Sequence, residues 1–353
     1  MLTKHMKTIK FGRGTISENG PAYFIAEIGH NHQGNLNTAM EMITVAASCG
    51  ANAVKFQKRD NKTLFTKAQY AKPYENENSY GATYGEHREF LEFGKKEFKK
   101  LKQCAEENGV EFMCTAFDIP SVDFLDELGI ESYKVASGDL TNIPLLTYIA
   151  KKKKPMFVST GASTLREVKM AYDAILKHNK KLCLLHCSAG YPTDYPNLNL
   201  GVIETLKKEF PEAIIGYSGH DDGLLAPIIA YMLGAVVVEK HFTLSHSWKG
   251  TDHSFSLEPE GLRKQIINLK RVDLALGDDK KIIRDFEKSA RQKMGKSIYA
   301  KKALTAGTVL SEKNMCIKSP GGGLPPYYWN ELVGKKLKTP LEEETLIRME
   351  HIK

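Results

Sequence analysis

At 353 residues the chain is longer than one typical domain, and its 42% hydrophobic content is enough for a large buried core. Fifty Lys and Arg against 42 Asp and Glu leave a formal net charge of +8, which fits an anionic substrate as well as a merely soluble surface. No compact basic recognition motif argues for nucleic acid, and no apolar stretch approaches the ~20 residues of a membrane-spanning helix. The six cysteines, Cys49, Cys104, Cys114, Cys183, Cys187 and Cys316, form no C-x-x-C pair. They read as reduced thiols of a cytoplasmic protein. Met1–Phe11 alternates Lys with apolar residues and has no apolar h-region, so no secretion signal is expected.

In chain order, Thr8–Ile16 with Asn19-Gly20 suggests a small β-hairpin, placed within residues 8–21. Eight short apolar, β-branched runs follow: Tyr23–Ile28, Ala53–Gln57, Glu111–Thr115, Ser132–Ser137, Met156–Ser159, Leu182–Cys187, Ile214–Ser218 and Val236–Phe242. Between them the apolar spacing turns helical, over Leu36–Ser48, Lys96–Asn108, Ser121–Leu128, Leu165–His178 and Leu224–Leu233. The lysine run Lys151–Lys154 reads as a solvated helix end. Pro259–Leu276 reads as a closing helix. Strands that are apolar throughout belong in a parallel sheet covered on both faces. Eight such units predict an α/β fold, a (β/α)8 TIM barrel, over residues 1–280. An open doubly wound sheet is disfavoured, because no glycine-rich dinucleotide turn follows the first strand. The charged segment 281–294 reads as a linker. From 295 to 353 short strands and Gly/Pro turns predict a small β-rich domain.

Barrel chemistry gathers where the strands end. The polar residues there are Glu27, Lys55 with Gln57, Thr115, Lys134 with Ser137, Ser159, His186 with Ser188, Ser218 with His220, and Glu239 with His241. Asp252 follows in a loop. Lysines inside apolar strands are costly unless they serve a ligand or an ion pair, so Lys55 and Lys134 with the surrounding hydroxyls suit a phosphate and a carboxylate. His220 and His241 end neighbouring strands, where two imidazoles with oxygen ligands suit Mn²⁺, Mg²⁺ or Zn²⁺. Glu27 and Asp252 suit acid–base work or metal-bound water. Isolated histidines such as His87 and His178 are more often structural. Cys183 and Cys187 read as core, single serines at strand ends carry little weight, and His30 and His32 are open between substrate contact and loop bonding.

These residues sit in motifs that resemble the sialic acid synthase family along essentially the whole chain. The motifs are Ile25-Ala26-Glu27-Ile28-Gly29 with Asn31-His32, Lys55-Phe56-Gln57, Tyr133-Lys134-Val135-Ala136-Ser137-Gly138, and Ser159-Thr160-Gly161. They continue with His186-Cys187-Ser188 through Tyr191-Pro192, Gly216-Tyr217-Ser218-Gly219-His220, Glu239-Lys240-His241-Phe242, and Gly250-Thr251-Asp252-His253. The C-terminal segment resembles the antifreeze-like (SAF, β-clip) domain of these synthases. The resemblance implies a transferase that joins phosphoenolpyruvate to N-acetylmannosamine in its open-chain form. It implies phosphoenolpyruvate on Lys55, Thr115, Lys134, Ser137, Ser159, Ser188 and Ser218. It also implies Mn²⁺ or Mg²⁺ on His220 and His241, and sugar hydroxyls oriented by Gln57, Tyr191 and Asp252. A domain-swapped homodimer is implied as well.

Three departures touch the acceptor: Asp139 stands where many relatives have Glu, Ala189 where Asn is frequent, and Ser319 where bacterial relatives carry Arg. A 6-phosphorylated acceptor, for which Lys58-Arg59 is a candidate contact, and diacetamido sugars leading to legionaminic or pseudaminic acid are the alternatives. A non-catalytic carbohydrate- or ice-binding protein is the reading from another class.

Overall fold

The computed structural model describes residues 7–353; Met1–Met6, part of the stretch scanned for a secretion signal, lie outside the described residues. Eight parallel strands close into a barrel: β3 (Tyr23–Gly29), β4 (Ala53–Lys58), β5 (Glu111–Ala116), β6 (Tyr133–Val135), β7 (Met156–Ser159), β8 (Leu182–Cys187), β9 (Ile214–Gly219) and β10 (Val237–His241). They follow chain order, and β10 returns to pair with β3. Nearly every strand residue is buried, as expected where helices cover the outside and side chains fill the inside. Helices with conventional caps join the strands. Asn35 accepts from the first turn of Leu36–Ser48, and Thr164 with Glu167 closes a capping box on Leu165–Leu176.

β1 (Thr8–Phe11) and β2 (Gly14–Ser17) form the expected hairpin. Its turn lies at Gly12-Arg13 rather than Asn19-Gly20, because Gly12 adopts φ +46° and carries the reversal. Ile9, Phe11 and Ile16 pack against Tyr23, Met113, Phe157 and Ile214, plugging the N-terminal end of the barrel. The chemistry is left to the other end.

Several elements were not anticipated. Ile143–Lys151 and Val202–Glu209 are helices. Lys151 ends the first of them, but Lys152 and Lys154 bond Asp126 at 2.9 Å each and are not simply solvated. The long β4–β5 connection holds three short helices, Asn61–Leu64, Lys67–Tyr70 and Tyr84–Phe90. β6 is short because Ser137–Asp139 turns into a 3-10 helix, delivering Ser137 and Asp139 to the barrel mouth.

The chain divides between Gly277 and Asp278. In the C-terminal unit the segment read as a linker contains the helix Asp285–Met294. β11 (Ser297–Ala300) pairs antiparallel with β12 (Met315–Lys318), and Ile298, Leu304, Leu310, Leu337, Leu341 and Ile347 form a separate core. Among the described residues no helix is long and apolar enough to cross a membrane.

Candidate active site

The barrel register assembles the site. Glu27 pairs across to Lys55, Gln57 to Thr115, Thr115 to Lys134, and Glu239 to Ser218. Side chains alternate with period two, so Lys55 and Gln57, like Glu239 and His241, share the inner face. They open into a cavity of about 730 Å³, a size suited to small ligands. Of the anticipated site residues, Glu27, Lys55, Gln57, Thr115, Lys134, Ser137, Asp139, Ser159, Tyr191, Ser218, His220, His241 and Asp252 line it. Ser188 does not: its hydroxyl turns away to the carbonyls of Asn197 and Leu198, and its own carbonyl meets His220 Nδ1 at 3.1 Å. His186 bonds the Leu198 carbonyl and is structural. Cys183 is core as expected, whereas Cys187 lines the cavity.

At the floor, Lys55 Nζ lies 2.7 Å from Glu27 Oε2 and 3.8 Å from Glu239 Oε1, and Lys134 Nζ lies 3.7 Å from that same Glu239 oxygen. Lys55 donates to Thr115 Oγ1 at 2.9 Å, Lys134 to Ser159 Oγ at 2.7 Å, and Ser218 to Glu239 Oε1 at 2.9 Å. Burial penalises every charge here, and the neighbours decide which survives. Burial raises the Glu27 pKa, Lys55 only partly offsets that, and Glu239 adds to it. Glu239 goes the other way: Lys134 and Lys55 overcome its burial and keep it ionised. Burial lowers Lys134, while the two carboxylates outweigh burial at Lys55 and raise it. The two carboxylates are thereby pushed apart, Glu27 towards its protonated form and Glu239 towards its ionised form. Glu239 stood among the strand-end residues, but its role as counterion of both lysines was not anticipated.

His220 and His241 face each other with ring centroids 5.3 Å apart, walled by Tyr191 and Phe255. Burial lowers both pKa values to about 4, so the rings are neutral and able to ligate near pH 7. His241 Nδ1 is buried without a hydrogen-bond partner among the described residues, and lies 3.8 Å from Asp252 Oδ2. An orphaned imidazole nitrogen, a second neutral imidazole and a nearby carboxylate fit a divalent cation. Among the described residues no set of three or more His, Cys, Asp or Glu side chains converges as a closed metal cage. A divalent ion held there would have two imidazoles from the protein, with its remaining positions open to water and substrate.

Further out the β4–β5 connection contributes Arg59, named with Lys58 as a candidate contact for a phosphorylated acceptor, and Arg88, which was not anticipated. Arg59 Nη2 donates to Gln57 Oε1 at 2.7 Å, and Gln57 donates to Glu27 at 2.7 Å, linking rim to floor. Arg59 Nη1 and Arg88 Nη1 contact opposite nitrogens of His30, at 3.2 and 3.3 Å. Burial and Arg88 lower the Arg59 pKa to about 10, and burial with both arginines drives His30 well down, so His30 is neutral. A neutral imidazole accepts at one nitrogen only. One arginine therefore faces an N–H; Glu92 Oε1 lies 3.9 Å from Arg59 Nη1 and 3.8 Å from His30 Nε2, so Arg88 is the guanidinium with no carboxylate paired to it among the described residues. Lys58 points away, bonding Glu92 at 2.9 Å. His32 is structural: it stacks on Phe93 at 4.4 Å and accepts from Gly34 N. His87, expected to be structural, lines the cavity, while burial lowers its pKa to about 4. Burial also raises Asp139, which accepts from Asn142 at 3.2 Å. Ala189 lines the cavity; Ser319 belongs to the C-terminal unit, where its hydroxyl accepts from Lys296 at 2.5 Å.

Comparison with known proteins matches residues 42–281 to the NeuB family and residues 295–353 to the SAF domain. The chain is 40% identical over 331 residues to the N-acetylneuraminate-9-phosphate synthase of Homo sapiens, covering 94% of this chain and 92% of that protein. It is 36% identical over 336 residues to the N,N'-diacetyllegionaminic acid synthase of Legionella pneumophila, covering 94% of each. A solved structure, the N-acetylneuraminic acid (sialic acid) synthetase of Leptospira borgpetersenii in complex with citrate, is similar at 34% identity with a TM-score of 0.71. That likeness covers 81% of this chain and 96% of the other.

Proposed function

The chain belongs to the NeuB family and ends in a SAF domain, and we propose that it joins phosphoenolpyruvate to the open-chain aldehyde of an N-acylated amino sugar carrying a phosphate at its far end. It is an enzyme of the sialic acid synthase type, which removes the binding-only alternative. In the proposed reaction Lys55 and Lys134 hold the phosphate and carboxylate of phosphoenolpyruvate, with Thr115, Ser137 and Ser159 as directed donors, while the Ser218 hydroxyl donates to Glu239 instead. The Ser188 hydroxyl is occupied by backbone carbonyls, so Ser188 acts through its carbonyl on His220.

A divalent ion, Mn²⁺ or Mg²⁺, held by His220 and His241, would supply Lewis-acid polarisation of the aldehyde. C3 of phosphoenolpyruvate attacks the aldehyde carbon, and the new C–C bond leaves C2 electron-poor. Water adds at C2 and gives its proton to Glu27, whose burial raises its affinity for a proton. The C2–O bond to phosphate then breaks as the C2 hydroxyl passes its proton to the departing inorganic phosphate, and Glu27 returns its proton to the former aldehyde oxygen, which ends as a hydroxyl. The two lysines and Glu239 form a preorganised field in which this charge moves. Gln57, Tyr191, Asp139 and Asp252 orient the sugar.

The observation that carries the acceptor reading is the pair of arginines sharing His30. N-acetylmannosamine, the acceptor implied by the motifs, has no group that calls for them. Its 6-phosphate does, and the identity to a relative named as a 9-phosphate synthase supports it. The test is phosphate release from phosphoenolpyruvate with Mn²⁺ across N-acetylmannosamine, its 6-phosphate, mannose and the two diacetamido sugars. The highest kcat/KM is expected with the 6-phosphate. A higher value with an unphosphorylated sugar overturns the acceptor, and no release with any overturns the condensation.

A further inference from the structure

Lys240 and Asp221 are the most deeply buried ion pair of the barrel, 1% and 0% exposed, and none of the chemistry above uses them. Lys240 lies between Glu239 and His241, so strand alternation turns it outward, away from the cavity and under the covering helices. Its ammonium sits 3.0 Å from Asp221 Oδ1 and also donates to the Asp221 backbone carbonyl. The Tyr217 hydroxyl donates to the same carboxylate oxygen at 2.7 Å. Each partner is the chain neighbour of a candidate metal ligand: Lys240 precedes His241, and Asp221 follows His220.

The ladder between β9 and β10 stops one residue short of the histidines, at the register pair Lys240–Gly219. From there His241 is still held to β3, through Glu27, but the backbone carrying His220 has left the sheet. The two bonds from Lys240 to Asp221 replace the missing ladder bonds across that seam. Gly219 allows the close fit: a Cβ there would lie 2.5 Å from the Tyr217 ring and 2.6 Å from Asp221 Oδ1. On the other side His220 is fixed by Thr193 N on its carbonyl at 3.0 Å and by its Nδ1 on Ser188 O.

A buried ion pair is a poor way to gain stability, since well-packed apolar residues of similar volume do as well or better. What it supplies is a directed link with one geometry. We propose that the Lys240–Asp221 pair is a positioning element that fixes His220 against His241 at the separation a divalent cation needs. The inference rests on the reading that these two histidines hold the ion. Groups behind a metal's ligands commonly affect affinity by about 10–100-fold.

The test is Mn²⁺ binding to metal-stripped full-length protein, followed by electron paramagnetic resonance and calorimetry, with thermal unfolding in parallel. In the double variant Lys240→Met/Asp221→Leu, apolar volume replaces the pair. The expected result is an unfolding midpoint equal to or above wild type with a Kd for Mn²⁺ raised at least tenfold. Wild-type affinity in the folded double variant overturns the proposal. Should that variant not fold, Tyr217→Phe removes one hydroxyl from the network, and a several-fold weaker Mn²⁺ affinity at an unchanged midpoint is expected; unchanged affinity there overturns it equally. Lys240→Arg, which keeps the charge, should retain more affinity than Lys240→Met. Failure of the wild type to bind Mn²⁺ brings down the metal reading itself, and the proposal with it.

Discussion

Glu239→Gln isolates the electrostatics of the cavity floor. Gln keeps the volume and can still accept from Ser218, so the change removes little beyond one negative charge. That charge lies 3.8 Å from the Lys55 ammonium and 3.7 Å from that of Lys134. At an effective dielectric of about 20, each such pair is worth ~4 kcal/mol of Coulomb attraction before desolvation is set against it. Breaking a buried pair from one side costs about 3–5 kcal/mol, because the remaining charge stays buried without its partner. The lower end applies here: Glu239 is one of the causes holding the Glu27 pKa up, so its removal lets Glu27 ionise more fully beside Lys55. The expected loss is therefore about 3 kcal/mol in urea unfolding of the barrel at pH 7, followed by far-ultraviolet circular dichroism. Phosphoenolpyruvate brings the missing negative charge. At a hundred times its Kd a ligand adds about 2.7 kcal/mol, and the variant should recover at least that much. A loss below about 1 kcal/mol would show that the lysines do not depend on Glu239, and the floor would have to be read again.

Other consequences are equally direct. Arg88→Ala should lower kcat/KM for N-acetylmannosamine 6-phosphate at least tenfold more than for N-acetylmannosamine, since a hydrogen bond to a charged group is worth about 1.5–3 kcal/mol; equal losses would remove Arg88 from phosphate recognition. His241→Ala should abolish Mn²⁺ binding and cut phosphate release at least ~100-fold in a protein that still folds, the ion being asked for several kcal/mol of transition-state stabilisation. Near-normal turnover would end the metal proposal. Burial lowers His32 from 6.5 to about 3, so the unfolded chain takes up a proton there that the native state refuses. Its stability contribution is present above pH 6.5 and fades as pH falls towards 3. Linkage gives a loss of about 2 kcal/mol between pH 7 and 5, which His32→Phe should abolish, and an unchanged pH slope of unfolding would refute the neutral, buried assignment.

The barrel was legible because strands buried on both faces must be apolar throughout, and because a lysine or histidine inside such a run is conspicuous. Lys55, Lys134 and His241 were found that way and His220 as the residue just past such a run, and the structure brings all four into one cavity. Period-two spacing carries less information once a strand ends. Ser188 lies one residue past β8, where a local choice of carbonyl partners decides its direction, and no periodicity encodes that choice. Of the rim arginines Arg59 was named with Lys58, but Arg88 was harder still. Arg88 sits in a connection whose shape depends on the Thr83–Glu86 capping box and on the packing of Tyr74, Tyr84 and His87. The cap is readable in the sequence, but where the helix points is a property of packing.

Glu239, Lys240 and His241 condense the problem into three residues. Alternation alone assigns the outer two to the cavity and the middle one to the opposite face. In an antiparallel sheet the opposite face is often water, and a lysine there would need no explanation. In a parallel barrel both faces are buried, so an outward lysine must find a partner or lose its charge. The fold class therefore predicts that Lys240 has a buried carboxylate nearby, and the register narrows the choice to the residues around the end of β9. Asp221 meets that requirement, one residue beyond a histidine. The step that sequence alone could not take is from the existence of the pair to its place at the seam, because that depends on where the β9–β10 ladder stops.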